Sequence, residues 1–431
     1  MTSYSRIVSS VLAPLSVALL AAAVPSLSHL YAHDWPQWRG PQRDGVSLEP
    51  GLLKEWPAAG PKLVWQIQDA GSGYSTPAVV GDRIYLLGNE GLDNEFVRAL
   101  AVADGKPVWT TRVGRVGNPD QQPKFPAARS TPTVDGAQLF ALGSDGDLVS
   151  LETATGKLRW QKSLRTDFGG KPGIWAYSES PLVDGEAVVV SPGGADATMV
   201  ALNKNTGEVI WKAALPGASQ AAYASAVVVE IGGIRQYVQV VEKGLVGLDA
   251  KTGRLLWSYD GAVSRFKANI PSPLVHGGVV YTAGAGTGGG LVKLKVVEGV
   301  VTTETVAFSP KLPTAIGGSV AVGDYFYGTT GQALVCADFA TGSVKWEDRA
   351  LGTASLLYAD GRLYLHGENG EVGLVEPSTE GYRPKGRFTP PNGPKHSNEM
   401  EKSWAYPVVA GGRLYLRDHG SLWSYDVKSA N

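Results

Sequence analysis

The sequence predicts an all-β chain folded as an eight-bladed β-propeller of four-stranded blades, closed between its N- and C-terminal strands. Three observations predict it. A glycine four residues ahead of a tryptophan recurs five times, ending at Trp109, Trp160, Trp211, Trp257 and Trp346. Each copy follows an apolar, alternating run, and each interval opens on a small or Pro residue. The last unit supplies three strands only, and a lone strand near the N-terminus can complete it. A recurring unit of this length identifies an architecture before any catalytic residue is considered.

The unit has a readable physical logic. A run such as Leu148-Val149-Ser150-Leu151 is a strand with one buried face. The Thr-Gly or Asp-Gly pair after it turns the chain, because glycine accepts positive φ without steric cost. The tryptophan falls on the returning strand as a regular source of packing energy. Four copies also place a leucine five residues before the glycine (Leu100, Leu151, Leu202, Leu248), where the fifth has Ala337.

Two weaker copies fill the gaps. Phe308 ends a run after Glu298-Gly299, and Phe388 ends one after Glu380-Gly381. With the lone strand around Trp65, the aromatic markers lie about 46 residues apart, which suits a four-stranded blade. Openers such as Ser75-Thr76-Pro77, Ser130-Thr131-Pro132 and Ser180-Pro181 lead each blade's first strand. The final opener, Ala405-Tyr406-Pro407, is followed by strands through Arg413–Arg417 and Ser421–Asp426 and by no fourth. Residues 63–427 are therefore read as the propeller. The strand at Trp65 closes the ring and leaves no long open sheet edge.

Residues 1–32 read as a signal peptide. Arg6 precedes an apolar run, Ile7 to Val24, and Leu30-Tyr31-Ala32 is a tolerable cleavage site before His33. An uncleaved anchor is the alternative. After cleavage no stable membrane span is expected, and the protein is expected to be periplasmic or secreted. No cysteine follows the apolar run to carry a lipid. Residues 33–62 read as a strap, with Trp35 and Trp38 packed on the propeller and Arg39 and Asp44 open to a partner-binding role. Lys and Arg total 39 against 40 Asp and Glu, with no basic stripe, so nucleic acid is not expected as a partner. Cys336, the only cysteine, sits in an apolar run and reads as a buried, inert thiol.

Several motifs lose their chemistry in context. Gly284-Ala285-Gly286-Thr287-Gly288-Gly289 matches a dinucleotide pattern, but an alternating strand follows where that site needs a helix. Asp145-Gly146-Asp147 reads as a hairpin turn, too short for a calcium loop. The six histidines show no paired metal spacing.

The candidate site lies in the segments just before each blade's first strand, which crowd the mouth of the central channel. They contain Tyr74, Arg129, Trp175, Tyr177, Glu179, Tyr223, Lys267, Asn269, Lys402 and Trp404. Long connections lead into several of them, at 111–128, 165–178 and 389–403, and loops of that length are often functional. Polar and aromatic side chains converging on a channel suit a small ligand. Hydrogen bonding among blade tips is the structural alternative. Arg129, Glu179, Lys267 and Asn269 share one position in the repeat and are expected to face one another.

The repeat resembles the pyrroloquinoline-quinone (PQQ) type of propeller, the quinoprotein alcohol dehydrogenase-like family. There the Gly-x-x-x-Trp element is the tryptophan docking motif that locks neighbouring blades. The resemblance covers roughly residues 35–427 and implies the fold. In the family's dehydrogenases a Glu, an Asn and an Asp from successive blades hold Ca²⁺ and supply the base. Here Glu179 and Asn269 occur in that order, but the Asp position reads Leu312-Pro313-Thr314-Ala315-Ile316. The vicinal disulfide lacks a second cysteine, and Val241-Glu242-Lys243-Gly244 stands where a tryptophan floor is expected. With neither general base nor a full cation shell, no metal site and no cofactor are expected. The expectation is a scaffold module that binds a protein, peptide or glycan ligand at its loop face. The alternative is a divergent dehydrogenase of alcohols or sugars using PQQ with Ca²⁺.

Overall fold

The computed structural model of the protein describes Met1 and residues 33–394 and 402–429. The expected leader lies outside the described residues. Eight antiparallel sheets follow one another along the chain, each built as a four-stranded meander. Blades 1 to 7 span residues 78–114, 133–163, 182–213, 227–259, 274–309, 319–348 and 354–388. Blade 8 takes three strands from 408–426 and its outer strand from Lys62–Ile67, which pairs antiparallel with Ser421–Asp426. The ring thus closes between the two ends of the chain, and the shared blade is the one read from the sequence.

The glycine and the tryptophan of one phrase serve different neighbours. The Trp109 indole donates to the Thr153 carbonyl of the next blade at 3.0 Å, and the same blade's Gly156 lies under its ring. A Cβ on Gly156 would come 2.5 Å from that ring, so only glycine lets the two blades approach this closely. Trp65, Trp160 and Trp211 repeat the arrangement with Val102, Lys204 and Ala250 at 2.8–3.1 Å. Leu100, Leu151, Leu202 and Leu248 stand fully buried between the blades.

Beyond blade 4 the pattern changes. Trp257 donates to Gln236 Oε1 of its own blade at 2.5 Å. Phe308 is 45% exposed, and Gly342 of blade 6 faces Ala307 and Leu291 rather than an indole. Trp346 restores the contact to blade 7 through the Ser378 carbonyl at 2.8 Å.

The inner rim has its own belt. Thr131 N–H donates to Ser180 Oγ, Ser180 N–H to Ser225 Oγ, and Ser225 N–H to Ser272 Oγ, at 2.9, 2.9 and 3.0 Å. Tyr406 N–H donates to Thr76 Oγ1 at 3.1 Å. Each hydroxyl satisfies a buried backbone donor of the preceding blade, which a purely apolar rim would leave unpaired.

The strap does more than pack on the outside. It threads the channel. Trp35 exchanges backbone hydrogen bonds with Val79 of blade 1, Pro36 accepts from Val134 of blade 2, and Gly45 accepts from Tyr358 of blade 7. Val46–Ser47 then runs parallel to the inner strand of blade 7 and makes that sheet five-stranded. Arg39 and Arg43 are buried in the channel, with guanidinium donors on the Ser319 carbonyl and on the Ser180 and Pro181 carbonyls. Arg39 and Asp44, which the sequence left open to a partner-binding role, have partners within the protein. Arg39 also donates to the Asp44 carbonyl, and the Asp44 carboxylate accepts from Val46 N–H.

Candidate functional site

At the mouth of the channel lies a cavity of about 230 Å³. Five of the ten residues singled out from the sequence line it: Tyr74, Arg129, Trp175, Tyr223 and Trp404. They come from the segments ahead of blades 1, 2, 3, 4 and 8, so the walls belong to separate units of the repeat. Trp38 of the strap and Tyr406 also line the cavity, their rings edge-to-face at 4.6 Å. The Trp38 indole donates to Ser272 Oγ at 3.1 Å and thereby joins the hydroxyl belt.

Arg129 is the one charged residue among the described residues of the lining. It donates to the Trp175 carbonyl and lies 5.8 Å from the Tyr74 ring and 5.9 Å from the Trp175 ring. Cations held over aromatic faces gain from the ring quadrupole, most where water is excluded. Burial pulls the Arg129 pKa down, while Tyr74, Tyr223 and Glu95 oppose it. A guanidinium stays charged in proteins, so the cavity holds a permanent cation. Ser178 Oγ is buried in the lining without a hydrogen-bond partner among the described residues, which leaves a second polar handle. Trp175 is braced from outside by Phe125, edge-to-face at 5.0 Å, and Trp404 by a hydrogen bond to Glu368 at 3.0 Å.

The other five predicted residues lie elsewhere. Tyr177 is buried and donates to the Pro192 carbonyl at 2.9 Å. Asn269 is buried too. It accepts from Ser264 N–H and donates to the Val241 carbonyl, both at 2.8 Å, tying down the loop before blade 5. Lys267 is exposed, with a left-handed φ of 54°. Lys402 is half-buried and near Glu368 in charge. Glu179 accepts from Ser191 N–H and, at 3.0 Å, from Gln239 Nε2. Burial pushes its carboxyl up to about 7, and the cation that pulls it back is Arg43 rather than Arg129 or Lys267. The expected convergence of Arg129, Glu179, Lys267 and Asn269 is thus corrected: only Arg129 reaches the cavity.

Sequence reasoning missed Trp38, Tyr406, Ser178, Ser225, Ile270 and Ile316 of the lining. Tyr406, Ile316 and Ile270 sit two, three and four residues ahead of a first strand, so the repeat position carried a signal for them. Trp38 carried none, because its place depends on the strap entering the channel.

The two residues that match the family's cation ligands do not fit a calcium–quinone site as arranged. Glu179 and Asn269 are both spent on internal hydrogen bonds, and neither lines the cavity. A Ca²⁺ ion takes 6–8 oxygens, and the aromatic lining offers it no carboxylate.

Comparison with known proteins agrees with the architecture. A family profile described as "Outer membrane protein assembly factor BamB" matches residues 46–193 and 175–380. A tetrathionate hydrolase of Acidithiobacillus ferrooxidans is 24% identical over 353 residues, 70% of this chain and 64% of that protein. The chain thus spans less than two thirds of that relative's length. Among solved structures, BamB from Moraxella catarrhalis aligns over 86% of this chain and 99% of its own, with TM-score 0.61 and 17% identity. The quinohemoprotein alcohol dehydrogenase from Comamonas testosteroni aligns over 93% and 81%, with TM-score 0.63 and 12% identity. At such identities the structures speak for the fold alone. The repeated phrase, the eight-bladed ring and the profile match together place the chain in the PQQ-like propeller family.

Proposed function

We propose that this protein is a binding scaffold that acts outside the cytoplasm, in the periplasm or secreted, and takes its ligand at the channel mouth. The observation that carries the proposal is Arg129, a charged guanidinium set among the aromatic rings of Tyr74, Trp175, Tyr223, Trp404, Trp38 and Tyr406. Flat apolar walls with one fixed cation suit a ring-shaped group that bears an acid. Such a group is presented by an acidic glycan or by a peptide with an aromatic and an acidic side chain. The rings pack on its faces, and Arg129 takes the acid in a charge-assisted bond. Recognition of this kind needs no proton transfer, and the described lining offers no carboxylate, histidine or thiol to perform one.

The similarity to assembly factors supports a scaffold role, and the similarity to quinoprotein dehydrogenases keeps a redox reading in play. The internal engagement of Glu179 and Asn269 weighs against the latter. Calorimetry and tryptophan fluorescence with oligogalacturonate, acidic tyrosine-containing peptides and neutral counterparts test the proposal. Acidic ligands should bind and Arg129→Met should remove their preference over neutral ones. Bound PQQ absorbance with Ca²⁺-dependent dye reduction would overturn it.

A further inference from the structure

The inner strands of all eight blades turn one edge toward the channel. In an antiparallel pair, opposite residues exchange both hydrogen bonds or neither. Each inner strand ends in a two-residue turn closed by a bonded pair, so the residue before that pair aims its N–H and C=O at the channel. In blades 1, 2 and 7 this residue is Val79, Val134 and Tyr358, and in blade 4 it is Glu230. The strap takes the first three through Trp35, Pro36 and Gly45. Among the described residues, none hydrogen-bonds the backbone of Glu230, nor that of Val228, which has the same orientation two residues earlier.

Beside that open edge is a second cavity, of about 350 Å³. The strand Val227–Ile231 forms one side of it, Val275 of blade 5 another, and Arg43 and Asp44 of the strap the third. The acids here are engaged: Glu230 lies 3.5 Å from Arg235, and Asp44 accepts from Val46 N–H at 3.0 Å. Arg43 is different. It is 3% exposed, and its Nε donor has no partner among the described residues. Burial brings its pKa down to about 9, which leaves it charged at neutral pH. The strap already shows how extended chain fits in this channel, with Val46–Ser47 laid parallel on Tyr358 and Ala359.

We propose that the channel edge of blade 4 receives an extended peptide segment of a partner protein. The segment adds as a strand to Val227–Ile231 from the face opposite the aromatic mouth and places an acidic side chain on Arg43. Main-chain bonds to Val228 and Glu230 supply the affinity, as in other cases of strand addition to an exposed edge. This site is separate from the mouth and does not rest on the function proposed for it.

The test selects binders for the whole protein from a displayed library of random twelve-residue peptides and measures them on variants. Glu230→Pro removes a channel-facing N–H and no bond of the blade's own ladder, so the melting temperature should hold. Peptide affinity should fall about tenfold or more, since the lost bond leaves a desolvated partner. N-methylation of alternate peptide residues should do the same with the protein unaltered. Among peptides sensitive to Glu230→Pro, Arg43→Met should remove the preference for acidic sequences and Arg129→Met should leave affinity unchanged, whereas binders held at the mouth should show the reverse pattern. The proposal is overturned if no selected peptide is sensitive to Glu230→Pro or to N-methylation, or if the peptides sensitive to Glu230→Pro depend on Arg129 and not on Arg43.

Discussion

The outer wall and the channel mouth are built by the same repeat and use it in opposite ways. On the outer wall from blade 8 to blade 4, one position holds the same residue type each time: Trp65, Trp109, Trp160, Trp211, Trp257. Four of the five indoles bond the neighbouring blade's backbone. At the mouth, the position four residues ahead of the first strand carries Tyr74, Arg129, Ser178, Tyr223, Ile270 and Trp404 in blades 1 to 5 and 8, each different from its neighbour in size or charge. Repetition at fixed geometry serves packing, where every interface poses one problem. Variation at fixed geometry serves recognition, where a ligand meets all the units at once. The arc from blade 5 to blade 6 sharpens the point, because the wall there keeps its strands with Phe308 half out in solvent.

The largest test of this division is ring closure. Deleting residues 61–68 removes the outer strand of blade 8 and bares the Ser421–Asp426 edge. We expect an aggregating or non-cooperatively folding product, because an unpaired edge is a template for further pairing. A soluble truncation with wild-type unfolding would remove the wall's role in closing the ring. Next in size is Trp211→Ala, which should cost about 3–5 kcal/mol in chemical denaturation, the usual range for a large aromatic truncated in a core. Phe308→Ala should cost less than about 1 kcal/mol, since its ring is already half solvated. Trp175→Ala and Trp404→Ala should fall between these and weaken ligand binding. Equal losses at Trp211, Trp175 and Trp404 would erase the distinction between wall and mouth.

The wall was legible because its signal is local and periodic. The five Gly–Trp phrases, the two weaker copies ending at Phe308 and Phe388, and the shared strand at Trp65 together count out eight blades. The mouth was half legible. Tyr74, Arg129, Trp175, Tyr223 and Trp404 were found from their place in the repeat, but spacing does not tell which way a side chain turns. Glu179 and Asn269 lie three and five residues ahead of their first strands, one to either side of the position Arg129 holds, and turn into the protein, because Ser191, Gln239 and the loop before blade 5 give them hydrogen bonds there. Trp38 and the threading of the strap were not legible. Strand addition depends on an edge left open by the three-dimensional ring, and Pro36, Gly45 and Val46 have no periodicity that declares it.

The smallest effect separates the two ends of blade 3's inner strand, Leu182–Asp184, by the sign of their pH dependence. Near the inner rim, burial raises the Glu179 carboxyl from 4.5 to about 7. The folded state then holds a proton that the unfolded state has released. Stability from this group is complete below about pH 4.5, declines as pH rises through 7, and is level above. At the far end of that strand, Asp184 accepts from Arg235 Nη2 of blade 4 at 2.6 Å, and that bond holds its carboxyl below its ordinary 3.8. Its contribution is present above pH 4 and is lost as pH falls through the lowered value. Glu179→Gln should therefore flatten the decline in melting temperature between pH 5 and 8, with a ceiling of about 3 kcal/mol set by the size of the shift. Asp184→Asn should leave that window unchanged and lower stability at neutral pH by no more than about 1 kcal/mol, since the pair is partly solvated. A Glu179→Gln profile that still declines as steeply as wild type would place the titrating group elsewhere, with Glu95, raised to about 7 by its own burial, the next to substitute.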